Sequence, residues 1–407
     1  MTASNDRDER LDMLIGRVEA KGYLPPPAED WKRALRAVPR HQFVPDRAWV
    51  LADEAHPAHA IDKAARPDEW WEAVYLDTPI IIQADDGATD HTTGQGTASS
   101  SLSALSGVLY NFGFVDLDEG HRVLEIGTGT GYTAALTARI VGKAGEVVSV
   151  EVDAALATQA GENLAAAVPG RGAPTVIVGD GADGYAHAAP FDRVHATCSV
   201  QSIPYAWIEQ CRPGGRIVTP YGEWFGHGLI AQVDVMPDGS GLGRFPGTSG
   251  YMHLRSQRPV DGHAAAWSSA GARVGQTRVN PRTIAYAPPA ADLVITHLAP
   301  GVTARRPADA LWLFDGSDPD CWAVATYAEF DDAFEVHQHG RRDLWDEAVE
   351  AYFQWQHFGR PGLDRFGLTV TRGGGELWID RPGNPIMLQA AGRETTPLPA
   401  PSRAAVG

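Results

Sequence analysis

The sequence predicts an α/β fold whose core is a parallel sheet, with an N-terminal helical segment before it and an additional C-terminal α+β domain after it. Between residues 122 and 222, apolar runs of strand length alternate with runs of helix length. This alternation is typical of parallel strands joined by helices. After residue 280 the chain changes to several short strands, one helix and a hairpin. We therefore expect two folded units joined by a linker.

Composition and charge limit the classes of function. The 407 residues suffice for two or three domains. The net charge of −17 argues against nucleic acid and anionic membranes as partners, because both would repel an acidic protein. The three widely spaced cysteines fit neither a disulfide framework nor a zinc pair, so we expect a reducing, cytoplasmic location. The first ten residues are polar, unlike a signal peptide, and no apolar run has membrane-spanning length.

Residues 1–74 form the predicted helical segment. Apolar residues recur at helical spacing from Leu11 to Val18, which predicts a helix over roughly residues 7–20. A second helix is expected from Asp30, which can cap it, to Val38. Residues 39–45 indicate a turn and an anchor, and residues 46–74 are rich in Ala, Asp and His, without an assigned helix or strand.

The histidines do not predict a metal site. His41, His56 and His59 do not share a helical face with a third ligand. His337 and His339 alternate along one predicted strand, again without a third ligand. We interpret all of them as surface histidines and expect no bound metal.

A turn with three glycines is the central feature of the α/β domain, which we place at residues 75–256. The strand-length run Val123–Ile126 leads into Gly127, Gly129 and Gly131, and a helix follows. Such a turn lets the backbone approach a ligand, and the helix start leaves N–H groups free. The spacing differs from the Gly-x-Gly-x-x-Gly dinucleotide fingerprint. The acid before the turn suits a cationic or hydroxyl-bearing ligand; the alternative is a glycine turn without a ligand.

Two later strands end in acidic residues. In doubly wound sheets an acid at the end of the second strand, here residues 146–153, binds ribose hydroxyls. Glu151 is the candidate and Asp153 the reserve. The strand over residues 175–178 precedes Asp180, which could bind an adenine amino group. The other predicted elements are strands over residues 191–197, 216–220 and 229–235 and helices over residues 154–166 and 203–210.

Residues 83–106 are the least regular part of this half of the chain. They follow an extended segment, residues 75–82, which Pro79 restricts to a sheet edge. A flexible linker is one interpretation. The other is a loop whose hydroxyls meet a substrate, since it directly precedes the glycine turn. Its hydroxyl cluster consists of Thr97, Ser99, Ser100 and Ser101.

The C-terminal part is predicted from residue 257 onward. A stretch rich in Gly, Ala, Ser and Arg, residues 257–280, is the predicted linker, and residues 391–407 are a flexible tail. We interpret the tryptophans between them as core, with a peptide-binding groove as the alternative. The predicted elements of this domain, residues 281–390, are strands at 292–296, 310–314, 321–325 and 333–337, a helix at 342–358, and a hairpin of 368–371 with 376–380.

Taken together, several pieces resemble the protein-L-isoaspartate O-methyltransferase family. Each piece is weak alone, but their order and spacing are specific. The matching pieces are Pro39–Pro45, Tyr75–Pro79, Thr97–Ser99, Gly120–Tyr132, Gly179–Gly181, Ala189–Arg193, and Ile203–Pro204 leading to Pro213–Val218.

The resemblance implies a Rossmann-like class I methyltransferase fold. It also implies methyl transfer from S-adenosylmethionine (SAM) to a peptide carboxylate, with S-adenosylhomocysteine as the product. By position, Ser99 would meet the acceptor carboxylate, with Thr97 and Ser101 beside it. The implied cofactor-binding residues are Glu125, Gly127, Thr128, Gly129, Gly131, Tyr132, Glu151, Asp180 and Gly181.

Three departures from the family pattern bear on the substrate. Ser100-Ser101 replaces the usual Gln-Pro after the acceptor serine, the stretch from Gln83 to Gly96 is longer and more acidic, and the chain continues far beyond Gly222. Long versions resemble the peptide-tailoring members that act on ribosomally made, modified peptides such as lanthipeptides, graspetides and lasso peptides. This branch implies methylation of an aspartate, whose ester collapses to an aspartimide.

Two alternatives remain open. One is repair of isoaspartyl residues in damaged proteins, and the other is a non-catalytic, SAM-responsive binding module.

An acidic enzyme with an acidic acceptor also needs local positive charge, for which Arg305-Arg306 and Arg341-Arg342 are candidates. The oligomeric state is not predicted.

Overall fold

The computed structural model describes residues 3–170, 172–222, 225–259, 271–330 and 332–387. The middle of the predicted linker and the whole predicted tail, residues 391–407, lie outside the described residues. The helices are α1 (Ala3–Ala20), α2 (Ala28–Ala37), α3 (Pro67–Val74), α4 (Leu105–Val115), α5 (Tyr132–Val141), α6 (Ala154–Ala167), α7 (Tyr205–Gln210), α8 (Pro281–Ala285), α9 (Pro289–Leu298) and α10 (Leu344–His357).

Three sheets contain the described strands. The strands are β1 (Arg47–Val50), β2 (His59–Asp62), β3 (Ile80–Ala84), β4 (Ala98–Leu102), β5 (Arg122–Ile126), β6 (Glu146–Glu151), β7 (Thr175–Val178), β8 (Phe191–Ala196), β9 (Cys211–Tyr221), β10 (Leu229–Val235), β11 (Gly241–Thr248), β12 (Arg273–Thr277), β13 (Val302–Arg305), β14 (Ala310–Asp315), β15 (Asp318–Phe330), β16 (Ala333–His339), β17 (Phe366–Thr371) and β18 (Gly374–Ile379).

The largest sheet has nine strands in the order β18-β17-β11-β10-β9-β8-β5-β6-β7. The five strands from β9 to β7 are parallel, which confirms the predicted α/β core, and the other four are antiparallel. The chain runs outward from β5 through β6 to β7 and then returns to β8 on the other side of β5. Ligands bind at such a reversal, at the carboxyl ends of the strands.

Both faces of this sheet are covered. Alternate residues of β5 point to opposite faces, so Val123 packs with the N-terminal helices and α4 and α5. Leu124 packs with α7 and the C-terminal helices. The apolar core is therefore continuous between the α/β domain and the C-terminal part.

The N-terminal segment is not purely helical. Strands β1 and β2 pair with each other and join β3 and β4 in a four-stranded sheet. Each of these two strands has four residues, too few for a period of two to stand out. Strand β4 falls within the stretch predicted as irregular, because its run of serines lacks strand propensity and depends on pairing with β3.

Two predictions about the C-terminal part are wrong. Residues 292–296 belong to helix α9 and not to a strand; a short buried apolar run does not distinguish the two by periodicity. The second half of the predicted linker contains β12, which pairs with β16 in a five-stranded antiparallel sheet. The tryptophans at 322, 345, 355 and 378 are buried, as expected of core residues, whereas Trp312 is only partly buried.

The predicted hairpin forms but belongs to a different sheet. Strands β17 and β18 pair with each other, and β17 pairs with β11 at the edge of the nine-stranded sheet. The boundary of the predicted domain at 281–390 therefore does not separate two independent units. The sequence alone did not predict that this hairpin would pair with the sheet of the α/β domain.

Candidate functional site

A cavity of about 1160 Å³ lies where the parallel strands β5, β6 and β8 end. This volume slightly exceeds that of typical small-molecule sites, so it can hold a cofactor and part of an acceptor. Several segments of the α/β domain contribute to its walls, among them the glycine turn, β4, α4, the ends of β6 and β8, and residues 248–259. Four residues of the C-terminal part complete it: Thr303, Ala304, Arg305 and Phe314.

Gly127 has no tolerable replacement in its present backbone conformation. Its φ of +90° is left-handed, and a Cβ built there would lie 2.8 Å from Thr197 Oγ1. That hydroxyl donates to the carbonyl oxygens of Gly127 at 2.5 Å and Ile126 at 3.1 Å. The glycine turn after β5 is thus fixed against the end of β8, with its backbone facing the cavity.

Glu151 connects the second strand end to the glycine turn. Its Oε2 accepts from the Gly129 N–H at 2.9 Å, and its Oε1 accepts from the Asp153 N–H at 3.0 Å. It is the one carboxylate among the described residues that line the cavity. Glu151 thus lies at the cavity, and its role as the ribose ligand stays a prediction. Asp153, the reserve candidate, caps α6 through hydrogen bonds from Ala155 and Leu156.

Glu125 does not line the cavity, contrary to its predicted place in the cofactor site. It is fully buried behind the turn, where its Oε1 accepts from Ser149 Oγ at 2.8 Å, and that hydroxyl also pairs with Thr128 Oγ1. Burial raises the pKa of Glu125 to about 7, with the Glu151 charge adding to the shift and the Ser149 and Thr133 hydroxyls opposing it. Glu125 therefore supports the turn from behind.

Two other predicted residues also act through packing. Gly131 faces α6, since a Cβ there would lie 3.0 Å from Leu164 Cγ. Tyr132 lines the cavity but is buried beneath Arg40 and Phe43. Its hydroxyl has no hydrogen-bond partner in the described structure, and burial raises its pKa to about 12.

Of the two residues predicted to bind adenine, Gly181 lines the cavity and Asp180 lies in the turn beside it. Gly181 lines the cavity and could not carry a Cβ, which would lie 2.3 Å from Ile126 Cγ2. Asp180 lies beside it, where its Oδ1 accepts from the Ala182 N–H and from Ser256 Oγ. One carboxylate oxygen of Asp180 is thus engaged in holding the turn.

The hydroxyl cluster lies on β4, opposite the glycine turn. Ser99 Oγ donates to Gln83 Oε1 at 2.9 Å and accepts from the Asp86 N–H at 3.0 Å. The predicted Thr97 and Ser101 also line the cavity. Ser100, which belongs to the predicted hydroxyl cluster but was given no role of its own, also approaches the turn: its Oγ lies 3.6 Å from the Cβ position of Gly129. The pairing of β4 with β3 is irregular at Gln83, and such an irregularity changes the direction of the neighbouring side chains. The sequence alone does not predict this irregularity.

Arg40 ties β4, the strand that carries the serines, to the rest of the domain. Its buried guanidinium donates to the carbonyl oxygens of Val74 at 3.1 Å, Ser103 at 2.7 Å and Thr78 at 3.3 Å. Burial lowers its pKa. The piece Pro39–Pro45 is therefore an anchor that ties the segments on both sides of β3 and β4 together.

Three arginines line the cavity: Arg255, Arg258 and Arg305. Of the four arginines predicted to supply positive charge, Arg305 alone is among the lining residues. Arg306 donates to the carbonyl oxygens of Ala285 and Phe225. Arg341 and Arg342 pair with acidic residues of the C-terminal sheet and α10. Arg255 and Arg258 were missed, because nothing in residues 245–258 predicts that they return to the glycine turn.

The described histidines do not gather around a common point. His41 is half-buried and not at the surface as predicted: it hydrogen-bonds Tyr75 Oη at 2.8 Å, and burial lowers its pKa to about 4. No three His, Cys, Asp or Glu side chains of the described chain are grouped as metal ligands. No described helix combines the length and apolar character needed to cross a membrane.

Known proteins resemble this chain in sequence. A family model described as protein-L-isoaspartate(D-aspartate) O-methyltransferase matches residues 58–254. Protein-L-isoaspartate O-methyltransferase 1 of Archaeoglobus fulgidus is 39% identical over 218 residues, covering 54% of this chain and 82% of the relative. Protein-L-isoaspartate O-methyltransferase of Ignicoccus hospitalis is 32% identical, and the alignment covers 57% of this chain and 91% of the relative.

A solved structure titled protein-L-isoaspartate O-methyltransferase shares the fold at a TM-score of 0.52 and 20% identity. The superposition covers 91% of this chain and all of the solved chain, so the shared fold extends well beyond residue 254. The chain is a SAM-dependent O-methyltransferase and belongs to the protein-L-isoaspartate O-methyltransferase family.

Proposed function

We propose that this protein methylates the free carboxylate of an L-isoaspartyl residue in a protein or peptide. One observation carries the proposal: the glycine turn and the serines of β4 open into the same cavity. A methyl donor held by the turn and a carboxylate held by the strand would thus face each other. The names of the relatives agree with this acceptor.

The lining residues fit SAM. Glu151 can accept hydrogen bonds from ribose hydroxyls while keeping its bond to Gly129, because each carboxylate oxygen accepts more than one. Gly181 and Asp180 would border the adenine. The exposed backbone of Gly127 and Gly129 would border the amino-acid part. SAM supplies a methyl group on a sulfonium, which makes that carbon electrophilic.

The acceptor needs orientation and no general base. An aspartyl-type carboxyl has an ordinary pKa of about 3.9, so it is ionised at neutral pH. Ser99 Oγ can rotate its proton from Gln83 to the acceptor, while Gln83 stays fixed through its hydrogen bond to Asp153 at 2.9 Å. Alignment of nucleophile and methyl can contribute roughly 7–11 kcal/mol. Donors that held the carboxylate tightly would weaken it as a nucleophile, so a few hydroxyls suit the task.

A second candidate is methylation of an aspartate in a ribosomally made, modified peptide. The observation that favours it is the acceptor side of the cavity, where residues 83–96 and the C-terminal part both contribute. In that case the backbone nitrogen of the next residue attacks the methyl ester, methanol leaves, and an aspartimide forms. The fold shared with a structure titled as an isoaspartate enzyme gives this candidate less support.

Mass spectrometry with two peptides separates the candidates. The peptides share one sequence and differ only in isoaspartate or aspartate at a single position. Isoaspartyl methylation predicts a gain of one methyl on the first peptide alone. A tailoring enzyme predicts methyl gain on an aspartate of its own precursor peptide, encoded nearby, followed by net loss of water. SAM binding without any methylated product would contradict both and support a binding module.

A further inference from the structure

Positive charge is concentrated at the cavity in an otherwise acidic protein. The chain carries a net charge of −17, yet its described cavity-lining residues include three arginines and one carboxylate. An acidic chain would repel an acidic peptide at long range, so a local group of arginines changes what can approach. Methyl transfer to one carboxylate does not require all three.

Two of these arginines bind the same carboxylate. Arg258 NH1 donates to both oxygens of Asp86, at 2.9 and 3.1 Å, and an Arg255 NH2 nitrogen lies 3.1 Å from Asp86 Oδ1. Asp86 comes from the loop before β4, whereas the arginines come from the segment after β11. The Arg255 Nε is buried and has no hydrogen-bond partner in the described structure. Arg255 NH2 also lies 3.6 Å from Asp153 Oδ2. The pair of arginines is thus a carboxylate-binding site in which one N–H donor, the Arg255 Nε, is unused.

Asp86 is held there in a strained conformation. Asp85 and Asp86 both have left-handed φ angles, +47° and +54°. This region is unfavourable for residues with a Cβ, although aspartate adopts it more readily than most. The backbone N–H of Asp86 also donates to Ser99 Oγ. The turn that presents Asp86 to the arginines is thus joined through its backbone to the acceptor serine.

We propose that Arg255 and Arg258 bind an acidic side chain that flanks the methylated residue of the peptide, and that Asp86 occupies this site in the free enzyme. Exchange of one carboxylate for another leaves both arginines paired, so their charges are never buried alone. The proposal deepens the proposed function, on which it rests, by naming acidic peptides as the preferred substrates.

The test uses two isoaspartyl peptides with blocked termini that differ only in glutamate or glutamine beside the isoaspartyl residue. We measure kcat/KM for methyl transfer and, separately, peptide binding by fluorescence anisotropy with S-adenosylhomocysteine present. Wild type should prefer the glutamate peptide about tenfold, the effect of about 1.4 kcal/mol. Arg258→Gln should reduce the ratio to about one. Asp86→Asn should increase it severalfold, since the internal competitor is gone.

The controls remove equal charges elsewhere. Arg365 and Asp380 form an exposed ion pair outside the cavity lining, so Arg365→Gln and Asp380→Asn should keep the wild-type ratio. Equal methylation of both peptides by wild type would overturn the carboxylate site and leave the proposed function standing. Preferential binding that Arg258→Gln abolishes, without methylation of either peptide, would overturn the proposed function and leave the site standing.

Discussion

Glu125 shows how far a residue's role can differ from the one that its motif suggests. It begins the Glu-x-Gly-x-Gly-x-Gly pattern, yet it is buried behind the turn and bonded to Ser149. A carboxyl group without water favours the neutral form, which accounts for its raised pKa. Its burial also couples the stability of the turn to pH.

Replacing Glu125 by Gln should change how stability depends on pH. The folded pKa of about 7 lies above the ordinary value of 4.5, so the folded state binds this proton more tightly. The resulting stabilisation is complete below about pH 4.5 and is lost as the pH rises through 7. Between these limits the free energy of unfolding of Glu125→Gln should rise relative to wild type by about 3 kcal/mol.

Urea unfolding at several pH values measures this difference. The matched control is Glu162→Gln, at an exposed glutamate of α6, which removes one negative charge without touching the turn. A difference between Glu125→Gln and wild type that stayed constant with pH would contradict the argument.

Ser99→Ala should impair methyl transfer and leave SAM binding intact. A hydrogen bond to a charged group contributes roughly 1.5–3 kcal/mol. We therefore expect kcat/KM to fall about tenfold to a hundredfold, with no change in the Kd for SAM by calorimetry. Ser240→Ala, in the turn between β10 and β11, is the control. Loss of SAM affinity in step with activity would assign Ser99 a structural role instead.

At the scale of elements, the glycine turn depends on both conformation and space. Gly127 and Gly120 have nearly equal positive φ angles, +90° and +86°, but differ in surroundings. A Cβ at Gly127 meets Thr197, whereas a Cβ at Gly120 meets nothing within 4 Å. The two positions thus separate backbone strain from crowding.

Gly127→Ala should weaken SAM binding strongly, and Gly120→Ala should not. Both variants carry the left-handed strain of roughly 1–2 kcal/mol, and Gly127→Ala must in addition displace the Thr197 hydroxyl from the turn. Calorimetric titration with SAM and the free energy of unfolding are the two measurements. Equal effects on cofactor affinity would mean that crowding at Thr197 is irrelevant.

The sequence predicted elements well where their residues follow one regular pattern. Strand β5 is a buried apolar run, a glycine turn follows it, and helix α5 comes next; both elements are found where expected. Strand β4 was missed because Ser99 to Ser101 form a strand only through pairing with β3. Helix α9 was mistaken for a strand because its residues are buried all round. The arginine site was missed because it joins positions 172 residues apart.

At the scale of the whole molecule, the α/β domain and the C-terminal part share one core. Apolar residues of the parallel sheet, such as Ile217, pack in one cluster with Val294 of α9 and Trp345 of α10. Arg306 adds hydrogen bonds to the carbonyl oxygens of Ala285 and Phe225 on the two sides. We therefore expect the described structure to unfold as one cooperative unit, although the sequence suggested two.

Deletion of the chain after Pro361 should prevent stable folding. It removes β17 and β18, whose buried apolar residues are Phe366, Leu368, Val370, Leu377, Trp378 and Ile379. Each contributes roughly 1.5–3 kcal/mol, and together they match a typical free energy of unfolding of about 5–15 kcal/mol. Calorimetry and solubility are the measurements. A chain ending at Met387, which keeps every described residue, should melt at the wild-type temperature; an intact transition in the shorter chain would contradict the shared core.

The position of the hairpin also has a consequence for synthesis of the protein. Strand β11 pairs with β17, which the ribosome makes more than a hundred residues later. Until then β11 presents a row of unpaired N–H and C=O groups, which is a template for pairing with another chain. Contacts so distant in sequence also form slowly. Each nascent chain therefore passes through an interval of exposure to aggregation, which closes when its last hairpin docks.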